Sequence, residues 1–154
     1  MGLSGPVRLV GVGSPHGDDA VGWEVVRCLR KRSGGLPGVE FFEVDGGQCL
    51  LDLLDGRGTL ILIDALAGGG PPGTIRRFDW PDSGLDVMAP GSTHALRPAE
   101  ALQLAAALGL LPPRVVIYGL EMAGQKPGDS LSAIAAAAVP EAARRIEEEL
   151  FGSG

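Results

Sequence analysis

Short apolar runs alternate along this chain with longer stretches whose apolar positions recur at helical spacing. The runs predict strands over 7–12, 39–45, 59–64, 74–79 and 114–121, and the periodic stretches predict helices over 18–32, 48–55, 98–108 and 132–149. Leu60-Ile61-Leu62-Ile63 and Val115-Val116-Ile117-Tyr118 are almost wholly apolar, as strands covered on both faces are. Pro98 suits a first helical position, whereas Pro140 is expected to break or restart the last helix. Such an alternation of strand and helix predicts a three-layer α/β/α sandwich around a mostly parallel sheet.

The fourth strand segment, Thr74-Ile75-Arg76-Arg77-Phe78-Asp79, is short and charged. Charge discourages pairing with strange chains, so it reads as an edge strand. A long loop over about residues 80–96 follows, with Pro81, Pro90 and Gly91 in it. Loops of that length in compact domains are usually functional.

With 154 residues, 45% of them hydrophobic, the chain is expected to form a single domain over 1–154 that buries roughly two-thirds of its unfolded surface. The formal net charge of −6 argues against nucleic acid and anionic membranes as partners. Cys28 and Cys49 form no Cys-x-x-Cys pair, so neither a zinc knuckle nor a disulfide framework is expected, and both read as small core residues. No basic-then-apolar leader and no membrane-length apolar run is present, so a cytoplasmic protein is expected.

The chemistry gathers after the first strand, in Gly11-Val12-Gly13-Ser14-Pro15-His16-Gly17-Asp18-Asp19. A nucleotide-binding protein would hold a pyrophosphate on such a glycine turn at a helix start, but two carboxylates there would repel it. The turn suits a cation or acid–base chemistry instead. Asp64 ends an apolar strand, where its charge needs compensation, and His94 lies in the long loop just before Pro98. If the first and third strands are neighbours, the loops after Val12 and Ile63 converge beyond their carboxyl ends, where ligands of open α/β sheets bind. Asp19 (or Asp18), Asp64 and His94 are then expected to form an oxygen–nitrogen set for a divalent ion such as nickel, zinc or manganese. Asp18 reads as a helix N-cap, His16 as a loop residue or a fourth ligand, and Glu121 as a supporting acid or a solvated strand end. Asp45-Gly46-Gly47 after the second strand reads as a helix-entry turn or a surface that grips a peptide.

Taken together, these segments resemble the hydrogenase maturation endopeptidases, which remove a C-terminal extension from the large subunit of [NiFe] hydrogenases. The resemblance rests on Gly11-Val12-Gly13, Gly17-Asp18-Asp19 with Gly22, Asp45-Gly46-Gly47, Ile63-Asp64-Ala65, Ser92-Thr93-His94, Tyr118-Gly119-Leu120-Glu121, and Pro127-Gly128 before Leu131-Ser132. It implies a five-stranded sheet, first and third strands adjacent and the fourth antiparallel. It also implies Asp19, Asp64 and His94 as metal ligands and catalytic residues, and Asp45, Gly46 and Gly47 as substrate-handling residues. Ser14 stands where the family usually has asparagine, and Asp19 where it often has glutamate on a longer turn.

The activity so implied is endoproteolysis of a hydrogenase large-subunit precursor, with recognition of nickel already in the precursor. The charged edge strand and acidic surface offer no obvious partner patch, so a monomer is expected. Zinc or cadmium are the ions expected to substitute. A nickel-binding chaperone that does not hydrolyse, or a nucleotide-binding α/β module, are the alternatives. A shortened large subunit separates protease from chaperone.

Overall fold

A computed structural model of the chain describes residues 5–33, 37–67, 70–81, 96–123 and 130–151. The elements are β1 (Val7–Val12), a 3-10 turn (Gly17–Ala20), α1 (Val21–Ser33), β2 (Val39–Val44), α2 (Gly47–Asp52), β3 (Thr59–Leu66), β4 (Ile75–Asp79), α3 (Pro98–Leu108), β5 (Arg114–Glu121) and α4 (Ala133–Phe151). The strands form one sheet in the order β2-β1-β3-β5-β4. The pairs β1–β2, β1–β3 and β3–β5 are parallel, and β4 closes the edge antiparallel to β5.

The apolar runs explain the centre of this sheet. Every residue of β3 is buried, and its side chains alternate between two cores. Ile61, Ile63 and Ala65 pack with Val25, Leu29, Ala142 and Ile146 of α1 and α4. Leu60, Leu62 and Leu66 pack with Leu50, Leu102 and Ala105 of α2 and α3. A fully buried leucine or isoleucine contributes about 1.5–3 kcal/mol, so a strand buried on both faces suits the middle of a three-layer fold and no other place in it.

The edge-strand reading of β4 holds. So does the start of α3 at Pro98, where the Glu100 side chain accepts the Arg97 N–H at 2.9 Å. The expected interruption at Pro140 does not occur, because α4 runs through it. Ala135, Ala138 and Val139 before the proline and Ala142, Ala143, Ile146 and Leu150 after it pack on the same core, which outweighs one lost backbone bond. Cys28 is partly buried against that core, but Cys49 is exposed on α2 and is not a core residue. No helix of the described residues is long and apolar enough to cross a membrane.

Strand order fixes where a ligand binds. From β1 the chain moves to β2 on one side and then to β3 on the other. The loops leaving β1 and β3 therefore part company at the carboxyl edge, which is the crevice that open α/β sheets use.

Candidate active site

Asp19 and Asp64 meet in that crevice. Asp64 occupies the carboxyl end of β3, level with Gly119 of β5 and, through it, with Arg76 of β4. Asp19 belongs to the 3-10 turn that follows β1. What brings them together is the entry of α1. A Cβ on Gly22 would lie 2.5 Å from the Ile63 carbonyl oxygen and 2.7 Å from that of Val12. Only glycine lets the first turn of α1 rest on the ends of β1 and β3 at once.

Asp64 is buried, and burial pushes its carboxyl well above the ordinary aspartate range. The Ala65 N–H, donating at 2.8 Å, favours the anion, and the charge of Asp19 opposes it. Among the described residues, Asp19 is the one charged group that acts on Asp64. Among the described residues no cation offsets this carboxyl pair, and two carboxylate donors of this kind suit a divalent cation. Among the described residues no group of three His, Cys, Asp or Glu side chains is placed to hold a metal. His94 lies outside the described residues.

Ser14 shapes the turn. Its N–H donates to the Asp19 carbonyl at 3.2 Å and its hydroxyl to Asp19 Oδ2 at 2.5 Å. The serine that departs from the family pattern therefore orients the candidate ligand directly. His16 is exposed, and its carbonyl accepts the Asp19 N–H.

Asp18 is not the helix N-cap expected of it. It sits inside the 3-10 turn, only 2% exposed, and its carboxylate reaches across to the start of α4. There it accepts the Ser132 N–H at 2.7 Å and the Ser132 hydroxyl at 2.8 Å, and it also accepts the Ala123 N–H just after β5 at 2.8 Å. No periodicity announces such a pairing; Ser132 before an apolar helix looks in sequence like a cap and nothing more.

The turn Asp45-Gly46-Gly47 lies beside the glycine turn because both are tied to one carbonyl. Val44 O accepts the Gly13 N–H at 3.0 Å and the Trp23 indole N–H at 2.9 Å. Asp45 is exposed, and Gly46 adopts φ +95°, which favours glycine. Gly47 donates its N–H to the Leu96 carbonyl at 2.8 Å, and a Cβ there would lie 2.5 Å from that oxygen. Trp23 and Leu96 were not signalled by any motif.

Glu121, at the end of β5, is buried rather than solvated, with Arg76 Nη1 3.6 Å from its Oε2. Its place in β5 puts it on the α2–α3 side of the sheet together with Arg76.

Comparison with known proteins places the fold and the family. The chain is similar over almost its whole length to the hydrogenase maturating endopeptidase HybD from E. coli, at 25% identity and a TM-score of 0.81, covering 97% of this chain and 94% of that one. A hydrogenase 2 maturation peptidase from a Thaumarchaeota archaeon matches at 29% identity and TM-score 0.67, covering 96% and 98%. A [NiFe] hydrogenase maturation protease, HycI from Thermococcus kodakarensis, shares the fold at 18% identity and TM-score 0.72, covering 99% and 96%. No curated protein is similar enough to count as a match. The hydrogenase maturation protease family description fits residues 25–149, from within α1 to near the end of α4; this range includes Asp64 and begins after Asp19. An acid pair at the switch point of this sheet, on a chain so matched, makes the protein a peptidase of the hydrogenase maturation protease family.

Proposed function

We propose that this protein removes the C-terminal extension of a hydrogenase large-subunit precursor after nickel has been inserted, and that it reads the nickel as part of its substrate. Asp19, Asp64 and His94 complete the coordination of that nickel and so dock the precursor's C-terminal segment. The observation that carries this reading is the buried Asp64 carboxyl set against Asp19 with no cationic partner among the described residues. Two close carboxylates of this kind bind a divalent ion and release their mutual repulsion in doing so.

His94 is two residues before Leu96, whose carbonyl is held by Gly47. That short tether supports a place for the imidazole near the aspartates. Asp45 and Gly46, next to Gly47 in the chain, offer a carboxylate and an open backbone to the extended segment that is cut. Docking through nickel places one peptide bond beside a carboxylate able to take a proton from the attacking water, which is positioning plus general-base chemistry.

The test is to co-produce the protein with a nickel-loaded precursor and weigh the large subunit. A shortened C-terminus is the expected result. A precursor that is bound but remains full length would make the protein a chaperone, and His94→Ala that cleaves normally would remove the triad.

A further inference from the structure

Asp18 stands next to Asp19 in the chain yet faces away from it, into the protein. Its carboxylate takes three donors: the Ala123 N–H just after β5, and the Ser132 N–H and hydroxyl just before α4, all at 2.7–2.8 Å. Ser132 in turn accepts the Ala135 N–H at 3.2 Å and so caps α4. A negative group at the start of this long helix is favoured by its dipole. One side chain therefore ties the 3-10 turn to the first turn of α4.

On its other side the turn is held by the two Ser14 bonds to Asp19 and by the Asp19 N–H to the His16 carbonyl at 3.1 Å. A four-residue 3-10 turn has few internal bonds of its own. Its place over the sheet is set by these anchors, and Asp18 supplies the ones that lead to α4.

We propose that Asp18 is a positioning residue: by clamping the turn to α4 it fixes where the Asp19 carboxylate sits relative to Asp64. This rests on the proposed role of the aspartate pair in holding the substrate's nickel. A ligand displaced by about an ångström loses much of its function, so the supporting bonds of a site matter as much as its ligands.

Asp18→Asn tests it sharply, because the amide has almost the same shape. Whichever way the amide is turned, its NH2 meets a backbone N–H, either that of Ala123 or that of Ser132, and one acceptor is lost. Two measurements are made on the full chain: amide hydrogen exchange at Ser14 and Asp19, and calorimetric titration with Ni2+ alone. Leu150→Ala, which empties core volume at the far end of α4, serves as a variant destabilised elsewhere.

The expected result is exchange at Ser14 and Asp19 faster on the order of tenfold, and Ni2+ affinity weaker by about tenfold, in Asp18→Asn but not in Leu150→Ala. Exchange at those two amides no faster than in Leu150→Ala overturns the proposal. If Asp18→Asn does not fold, Ser132→Ala, which removes one donor and keeps the carboxylate, must move the same amides in the same direction, and unchanged exchange there overturns it equally. A wild-type chain that binds no Ni2+ contradicts the proposed use of the aspartate pair, while the exchange result still decides the role of Asp18.

Discussion

Gly47 donates its N–H to the carbonyl of Leu96 at 2.8 Å, so the turn that leaves β2 is bonded to the residue two places beyond His94. The contact leaves no room for a side chain, since a Cβ on Gly47 would lie 2.5 Å from the Leu96 oxygen and 2.7 Å from that of Arg97.

Gly47→Ala is accordingly expected to push the 96–97 segment away from α2. The cost is that of overpacking, about 1–3 kcal/mol in urea denaturation. Processing of the precursor should fall by more than that loss of folded protein explains, because the anchor next to His94 moves. A variant as active and stable as the wild type would show that the contact has no bearing on the site.

Asp64→Asn should separate stability from function. The amide oxygen can still accept the Ala65 N–H, while the buried charge and its conflict with Asp19 disappear. Without added metal near neutral pH, the variant is expected to be more stable by about 1 kcal/mol, a rise of about 2–4 °C in Tm for a chain of this size. Processing should be lost. Thermal unfolding followed by circular dichroism and mass analysis of the precursor check the two halves, and a less stable variant would mean Asp64 is compensated in a way not seen here. Such a trade between stability and activity marks functional sites.

A third expectation concerns the opposite, amino-terminal side of the sheet. Glu149 on α4 accepts from the Tyr118 hydroxyl, from Arg77 Nε at 2.9 Å and Nη2 at 2.5 Å, and from Arg114 at 3.3 Å. Burial pushes its carboxyl up, but Arg77 and Tyr118 more than offset this, and the group stays below the ordinary glutamate value of 4.5. The folded state therefore favours the anion. Its contribution to stability is present above pH 4.5 and is lost as pH falls through the lower folded value. Glu149→Gln should lower Tm near neutral pH, and the gap to wild type should close as the solution is acidified below 4.5. A gap that widens with acid would contradict the sign of the shift.

The centre of the sheet was legible in the sequence because β1, β3 and β5 are buried on two faces; β1 and β5 end where the apolar runs end. Asp64 was legible for a related reason, being a charge at the end of a run with no polar neighbour before it. Pro140 misled because a residue's own preference says nothing of the seven core contacts that hold α4 together around it. Asp18 misled because its partners, Ala123 and Ser132, are distant in sequence and joined to it only by the fold. Cys49 looked buried by residue type, but α2 turns it outward.

The central claim is that Asp19, Asp64 and His94 close around one divalent ion. Anomalous diffraction from crystals of the protein soaked in nickel or cadmium tests it most directly. One anomalous peak is expected, bonded to an oxygen of Asp19, an oxygen of Asp64 and an imidazole nitrogen of His94. A peak held by other residues, or an imidazole remote from both aspartates with the ion bound, would contradict it.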